Sequence, residues 1–118
     1  MDAADLAFAG LARQAELVAA GEVSPSELVE LSLERIARLD PQLNAFRIVF
    51  AQRARAEARQ AEARRGAGDR RALLGVPVAV KDDMDVAGEV TAQGPGRTCG
   101  RPPPTARSCA ACARRARS

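Results

Sequence analysis

The chain has 118 residues, is 47% apolar, 28% charged and only 3% aromatic, and carries a formal net charge of +3. That charge is unevenly placed: residues 1–94 hold 12 Lys/Arg against 15 Asp/Glu, a net of −3, while residues 95–118 hold 6 Arg and no acid, a net of +6. Interleaved charges with no Tyr and no Trp argue against nucleic-acid binding by the first 94 residues, and an acidic start with no bilayer-length apolar run excludes a membrane span and points to the cytoplasm.

Residues 6–20 are rich in Ala and Leu, and Gly21 stands where a left-handed helix cap is expected, so a first helix is predicted there. Ser24-Pro25-Ser26-Glu27 then supplies an N-cap serine, a proline at the first helical position and a glutamate placed to close a capping box. At helical spacing, Leu28, Val29, Ser32, Ile36 and Leu39 share one side, with Glu27, Glu30, Glu34 and Arg38 on the other. Asp40-Pro41 is expected to end this second helix, because a residue before proline avoids helical geometry.

Residues 44–50, Asn-Ala-Phe-Arg-Ile-Val-Phe, read as a short strand or as the start of the next helix. Residues 51–65 are almost wholly Ala, Arg, Glu and Gln, a strong helix former with small apolar residues that belongs on the surface, its charges solvated or weakly paired at helical spacing. A loop over 66–69 leads to the most informative stretch, Leu73-Leu74-Gly75-Val76-Pro77-Val78-Ala79-Val80-Lys81-Asp82-Asp83. An apolar, β-branched run ending in a cation and two carboxylates predicts a buried strand that delivers charge to its carboxyl end. Lys81 is the sole lysine, and lysine, unlike arginine, can be neutralised by burial and then act as a base. Residues 84–91 read as an irregular segment with a glycine turn.

Past Gly94 the composition changes. Residues 95–118 contain no Leu, Ile, Val, Met or Phe, four prolines and all three cysteines, Cys99, Cys109 and Cys112. A disordered basic tail is one reading. A metal site on Cys109-Ala110-Ala111-Cys112 with Cys99 is another, but it falls short of four ligands in a chain without histidine. The favoured reading is a GC-rich gene read in a shifted frame, which yields this kind of Arg/Pro/Ala/Gly/Cys mixture.

The run from Leu74 to Gly88, followed by Thr91 and Gly94, resembles the amidase signature family, whose members show a G-[IV]-P-x-x-[VI]-K-D-[ND] segment, an acidic-apolar-x-G stretch and a T-x-x-G. The Ser-Pro-x-Glu-Leu capping motif and Leu43-Asn44-Ala45-Phe46 extend the likeness over residues 6–94. The resemblance implies an α/β fold, a mixed sheet flanked by helices, of which this chain would hold two to three helices, one or two strands and an irregular tail. It implies hydrolysis of a small-molecule carboxamide by a serine, a second serine in a cis peptide and a lysine, without cofactor or metal. It equally fits the A-type subunit of a glutamine amidotransferase, which releases ammonia from glutamine.

By position in the motif Lys81 matches the family's lysine, with Asp82 and Asp83 in supporting structural roles. The serines present are Ser24, Ser26, Ser32, Ser108 and Ser118, none in a Gly-Ser-Ser-Gly context, and Pro95 stands where the family has serine after the T-x-x-G glycine. Residues 1–94 are therefore expected to be a truncated N-terminal portion of an amidase domain, marginally stable and inactive alone, with 95–118 as a tail. The competing non-enzymatic reading is a helical module whose basic tail binds RNA or an acidic partner, with binding that weakens steeply in salt.

Overall fold

The computed structural model describes residues 2–84 and 86–89. Among them are four helices, α1 (Ala3–Phe8), α2 (Gly10–Ala20), α3 (Pro25–Leu43) and α4 (Ala51–Gly66). The chain divides into two units, residues 1–77 and residues 78–118. All four helices belong to the first.

The helix expected over 6–20 is two helices. Asp2 caps α1 by accepting from the Asp5 amide at 2.8 Å, and the chain breaks where Gly10 takes a left-handed φ of +78°. Gln14 ties the two pieces together by donating its side-chain amide to the Leu6 carbonyl at 3.0 Å. The far end behaves as the sequence predicts. Gly21 is left-handed, with its amide on the Leu17 and Val18 carbonyls, so the last turn of α2 has partners for its orphan acceptors.

α3 begins with the full capping box. Ser24 Oγ accepts from the Glu27 amide at 3.1 Å, and Glu27 Oε2 accepts from the Ser24 amide at 2.7 Å. Pro25 occupies the first turn, where its missing N–H costs no helical hydrogen bond. Within the predicted apolar face, Leu28 and Val29 are buried, Ser32 and Ile36 are half-buried and Leu39 is exposed, so burial fades toward the C-terminal end. Ser32 satisfies its hydroxyl by donating to the Leu28 carbonyl one turn back, at 2.8 Å.

Proline does not stop α3 at Asp40. The helix runs through Pro41 to Leu43 and ends on Asn44, left-handed at φ +49°, whose amide bonds the Asp40 carbonyl at 2.7 Å. Near a helix end proline removes a single i→i−4 bond, and here that bond would join exposed residues. The Asp40 carboxylate adds closure by accepting from the Ala45 and Phe46 amides at 2.7 and 3.1 Å.

α4 spans almost the predicted residues but is less of a bystander than its composition suggests. Its small side chains let it approach α3 closely, and Ala58 and Ala61 are buried with Leu17, Val18, Leu28 and Val29. The Arg53–Glu57 pair, at 2.8 Å, follows the expected spacing along the helix. Arg55 forks onto Glu30 of α3 at 2.6 and 2.9 Å, Glu62 accepts from the Ser26 amide in the first turn of α3 at 3.0 Å, and Arg65 donates to the Ala19 carbonyl of α2 at 3.0 Å.

The strands expected at 44–50 and 73–83 are not present among the described residues. Residues 44–50 are exposed throughout and join α3 to α4 without regular structure. Residues 71–76 fold into turns instead, with the Leu74 amide on the Arg71 carbonyl and the Val76 amide on the Leu73 carbonyl, both at 3.2 Å. A strand exists only through a partner strand's backbone groups, and no such partner occurs among the described residues.

Candidate functional site

The segment carrying the motif is fixed at two points. After α4, Asp69 accepts from the backbone and guanidinium of Arg71, with its closest contact 2.5 Å to Nη2, and both side chains are about three-quarters buried. The guanidinium holds the Asp69 carboxyl below the ordinary carboxylate range. Next comes Gly75, at φ +91°. A Cβ there would stand 2.5 Å from Pro25 Cγ and 3.0 Å from Pro25 Cβ. The glycine of the Gly-Val-Pro motif thus seats directly on the proline that opens α3, joining the two sequence motifs in space. The sequence offered both residues, but no signal that they meet.

Lys81 lies in the second unit. Residues 81–84 form a turn closed by the Met84 amide on the Lys81 carbonyl at 3.0 Å. That turn brings the side chains of its first and third residues together, and Lys81 Nζ donates to Asp83 Oδ2 at 2.6 Å. Hydrogen bonding from Lys81 holds the Asp83 carboxyl below its ordinary value, opposed by partial desolvation and by the neighbouring Asp82 charge. A second turn follows, with the Glu89 amide on the Val86 carbonyl at 3.0 Å and Gly88 at φ +88°, matching the predicted glycine turn.

The expectation that Lys81 is withheld from water is corrected here: 79% of its side chain is exposed. Desolvation of a strand-end lysine requires strands on either side, and residues 76–81 have none among the described residues. Of the serines, Ser24 and Ser32 are engaged in helix capping and in the turn-to-turn bond already described, so both have structural employment. Ser108, Ser118, Thr91, Gly94, Pro95 and the three cysteines lie outside the described residues. Among the described residues no group of three potential metal-ligating side chains occurs, and no helix is long and apolar enough to cross a membrane.

Comparison with known proteins gives the motif its family. Residues 27–110 match the Amidase family. A Mycobacterium tuberculosis protein named "Putative amidase AmiB2" is 55% identical over 94 residues, which cover 80% of this chain and 20% of that protein. A second M. tuberculosis protein, "Putative amidase AmiA2", is 54% identical over 72 residues, 61% of this chain and 15% of the relative. The A-type subunit of the Roseiflexus castenholzii glutamyl-tRNA(Gln) amidotransferase is 46% identical over 78 residues, 66% of this chain and 16% of that protein. The chain therefore spans about a fifth or less of the length of these curated relatives. No solved structure matches.

Proposed function

Because the chain belongs to the amidase family, we propose that it represents part of a hydrolase of carboxamide C–N bonds in which Lys81 is the base. The observation that supports this most directly is the position of the sole lysine at the end of the Gly75-Val76-Pro77-Val78-Ala79-Val80 run, within the matched residues. In the reaction, a neutral Lys81 amine takes the proton of a bridging serine in a cis peptide, which takes that of the nucleophilic serine. The nucleophile attacks the amide carbonyl, and the lysine ammonium returns the proton to the leaving amine. Asp82 and Asp83 support the turn rather than react.

This chain offers the lysine without a Gly-Ser-Ser-Gly segment for either serine, so the 118 residues alone are inactive. The burial that a base requires would come from packing in the complete domain. We set the boundary of that domain at Gly94 on composition, with 95–118 a basic tail from a shifted reading frame. The family match running to residue 110 pulls the boundary later. Translating the gene in its other two frames from codon 90 decides between them: an ordinary apolar and charged alternation in one of them supports the earlier boundary, and its absence from both rejects it.

The test of function is a chimaera in which residues 1–94 replace the corresponding part of the AmiB2 relative. Carboxamide hydrolysis is expected, and Lys81→Met should lower it by about 10²–10⁴-fold with the circular-dichroism spectrum retained. Full activity in Lys81→Met contradicts the assignment. A second reading, an amidotransferase A-type subunit, is favoured by the Roseiflexus relative. It predicts ammonia release from glutamine in place of general amide hydrolysis when the same residues are grafted into that relative.

A further inference from the structure

We propose that Asp83 is a positioning residue for Lys81: its carboxylate, brought onto the ε-amine by the 81–84 turn, holds that group in place at rest and must part from it before catalysis. The inference rests on the lysine-base reading above and assigns the resting state of that same site.

Two observations carry it. The turn hydrogen bond between Met84 and Lys81 fixes the backbone so that residues two apart face one another, and the Nζ to Oδ2 distance of 2.6 Å is short for an ammonium on a carboxylate. In the 118-residue chain, exposure of 79% for the lysine side chain and 50% for the aspartate leaves both partners in reach of water, so the pair is not sealed there.

The chemistry then separates two states. A carboxylate accepts from an ammonium but has no proton to offer the lone pair of a neutral amine. When Lys81 loses its proton, the charge attraction to Asp83 is lost and only a weaker neutral N–H donation remains, so the amine lone pair can turn toward a serine hydroxyl. The charges that act on Asp83 are those of Lys81, favouring its ionised form, and of Asp82, opposing it. Motif position alone gives Asp82 and Asp83 equal standing. The turn geometry singles out Asp83 as the residue on the amine.

Two measurements test the proposal. In the 118-residue chain carrying ¹³C-labelled aspartate carboxyls, with Asp83 assigned through Asp83→Asn, its carboxyl should titrate at lower pH than in Lys81→Met. Identical titrations overturn the pair. In the chimaera, Asp83→Asn should move the acid limb of kcat/KM toward lower pH, and Asp83→Glu should return it. An active chimaera whose acid limb stays in place in Asp83→Asn overturns the positioning role and leaves the lysine-base reading standing. A chimaera inactive before any substitution overturns that reading and, with it, the role of Asp83 in catalysis.

Discussion

Gly75 shows how much one residue can decide. Its left-handed backbone is open to glycine at little strain, and its missing side chain admits the Pro25 ring into the space a Cβ would fill. A proline ring built into the first turn of a helix cannot step aside as the tip of a long side chain can. Gly75→Ala is therefore expected to destabilise the chain by roughly 1–3 kcal/mol from the backbone alone, and the approach to Pro25 adds to that. Urea unfolding followed by circular dichroism measures it, and an unchanged midpoint would show that the contact does not hold the motif against α3. This is also where the sequence was only half legible. A glycine ahead of Val-Pro marks a special backbone position, but nothing local tells a reader that the special position lies on a residue 50 places earlier. The setting of Lys81 was not legible: the run of β-branched residues before it reads as a strand, whereas a strand, and the burial it would give, depends on neighbours that no local pattern encodes.

At the level of elements the same division holds between local and non-local causes. The start of α3 could be read from four residues, because a capping box is made within one turn, and Gly21 was readable for the same reason. The end of α3 was not, since one missing amide near an exposed terminus is too small a penalty to halt a helix whose Asp40 carbonyl accepts from the Asn44 amide and whose following Ala45 and Phe46 amides donate to the Asp40 carboxylate. α4 was recognised as a helix from composition, yet its role came from partners on other helices. Glu62 gives the first turn of α3 a carboxylate acceptor and a charge suited to the positive end of the helix dipole. Glu62→Ala should lower stability by about 1 kcal/mol, in the range of lost caps, and a double-mutant cycle with Ser24→Ala would show coupling at one helix end. Glu30 and Arg55 add a pH signature. The hydrogen bond from Arg55 lowers the Glu30 carboxyl below its ordinary 4.5. A group depressed on folding stabilises above its unfolded value and loses that contribution as pH falls through the folded one. Glu30→Gln should therefore narrow the stability difference between neutral pH and pH values below about 4.5, measured as the change in urea midpoint across that range. An equal pH dependence in both proteins would mean that the pair is broken in solution.

For the first unit as a whole, the decisive quantity is how little it buries against how much it leaves in water. Its buried hydrophobic side chains are Leu17, Val18, Leu28, Val29, Ala58 and Ala61, two of them alanines. Along residues 43–50, by contrast, Leu43, Phe46, Ile48, Val49 and Phe50 are 36–67% exposed. Conformational entropy opposes folding at every ordered residue, and a core this small leaves a narrow margin. Leu28→Ala, at 1% exposure in the native chain, typically removes roughly 2–5 kcal/mol and should leave a large unfolded fraction without denaturant. The exposed run predicts a second behaviour. Contiguous apolar surface on a soluble chain binds hydrophobic dyes and drives association, and the matched relatives have four-fifths or more of their length beyond the aligned residues with which to cover it. The 118-residue chain should therefore enhance 8-anilinonaphthalene-1-sulfonate fluorescence and sediment as larger species as concentration rises, and the AmiB2 chimaera should do neither. Replacing Ile48 and Phe50 together by Ser should suppress both effects in the short chain while leaving its helical spectrum in place, because neither residue contributes to the buried set. Dye binding that survives this double change would locate the exposed apolar surface elsewhere, with Phe8 and Leu11 the next side chains to replace.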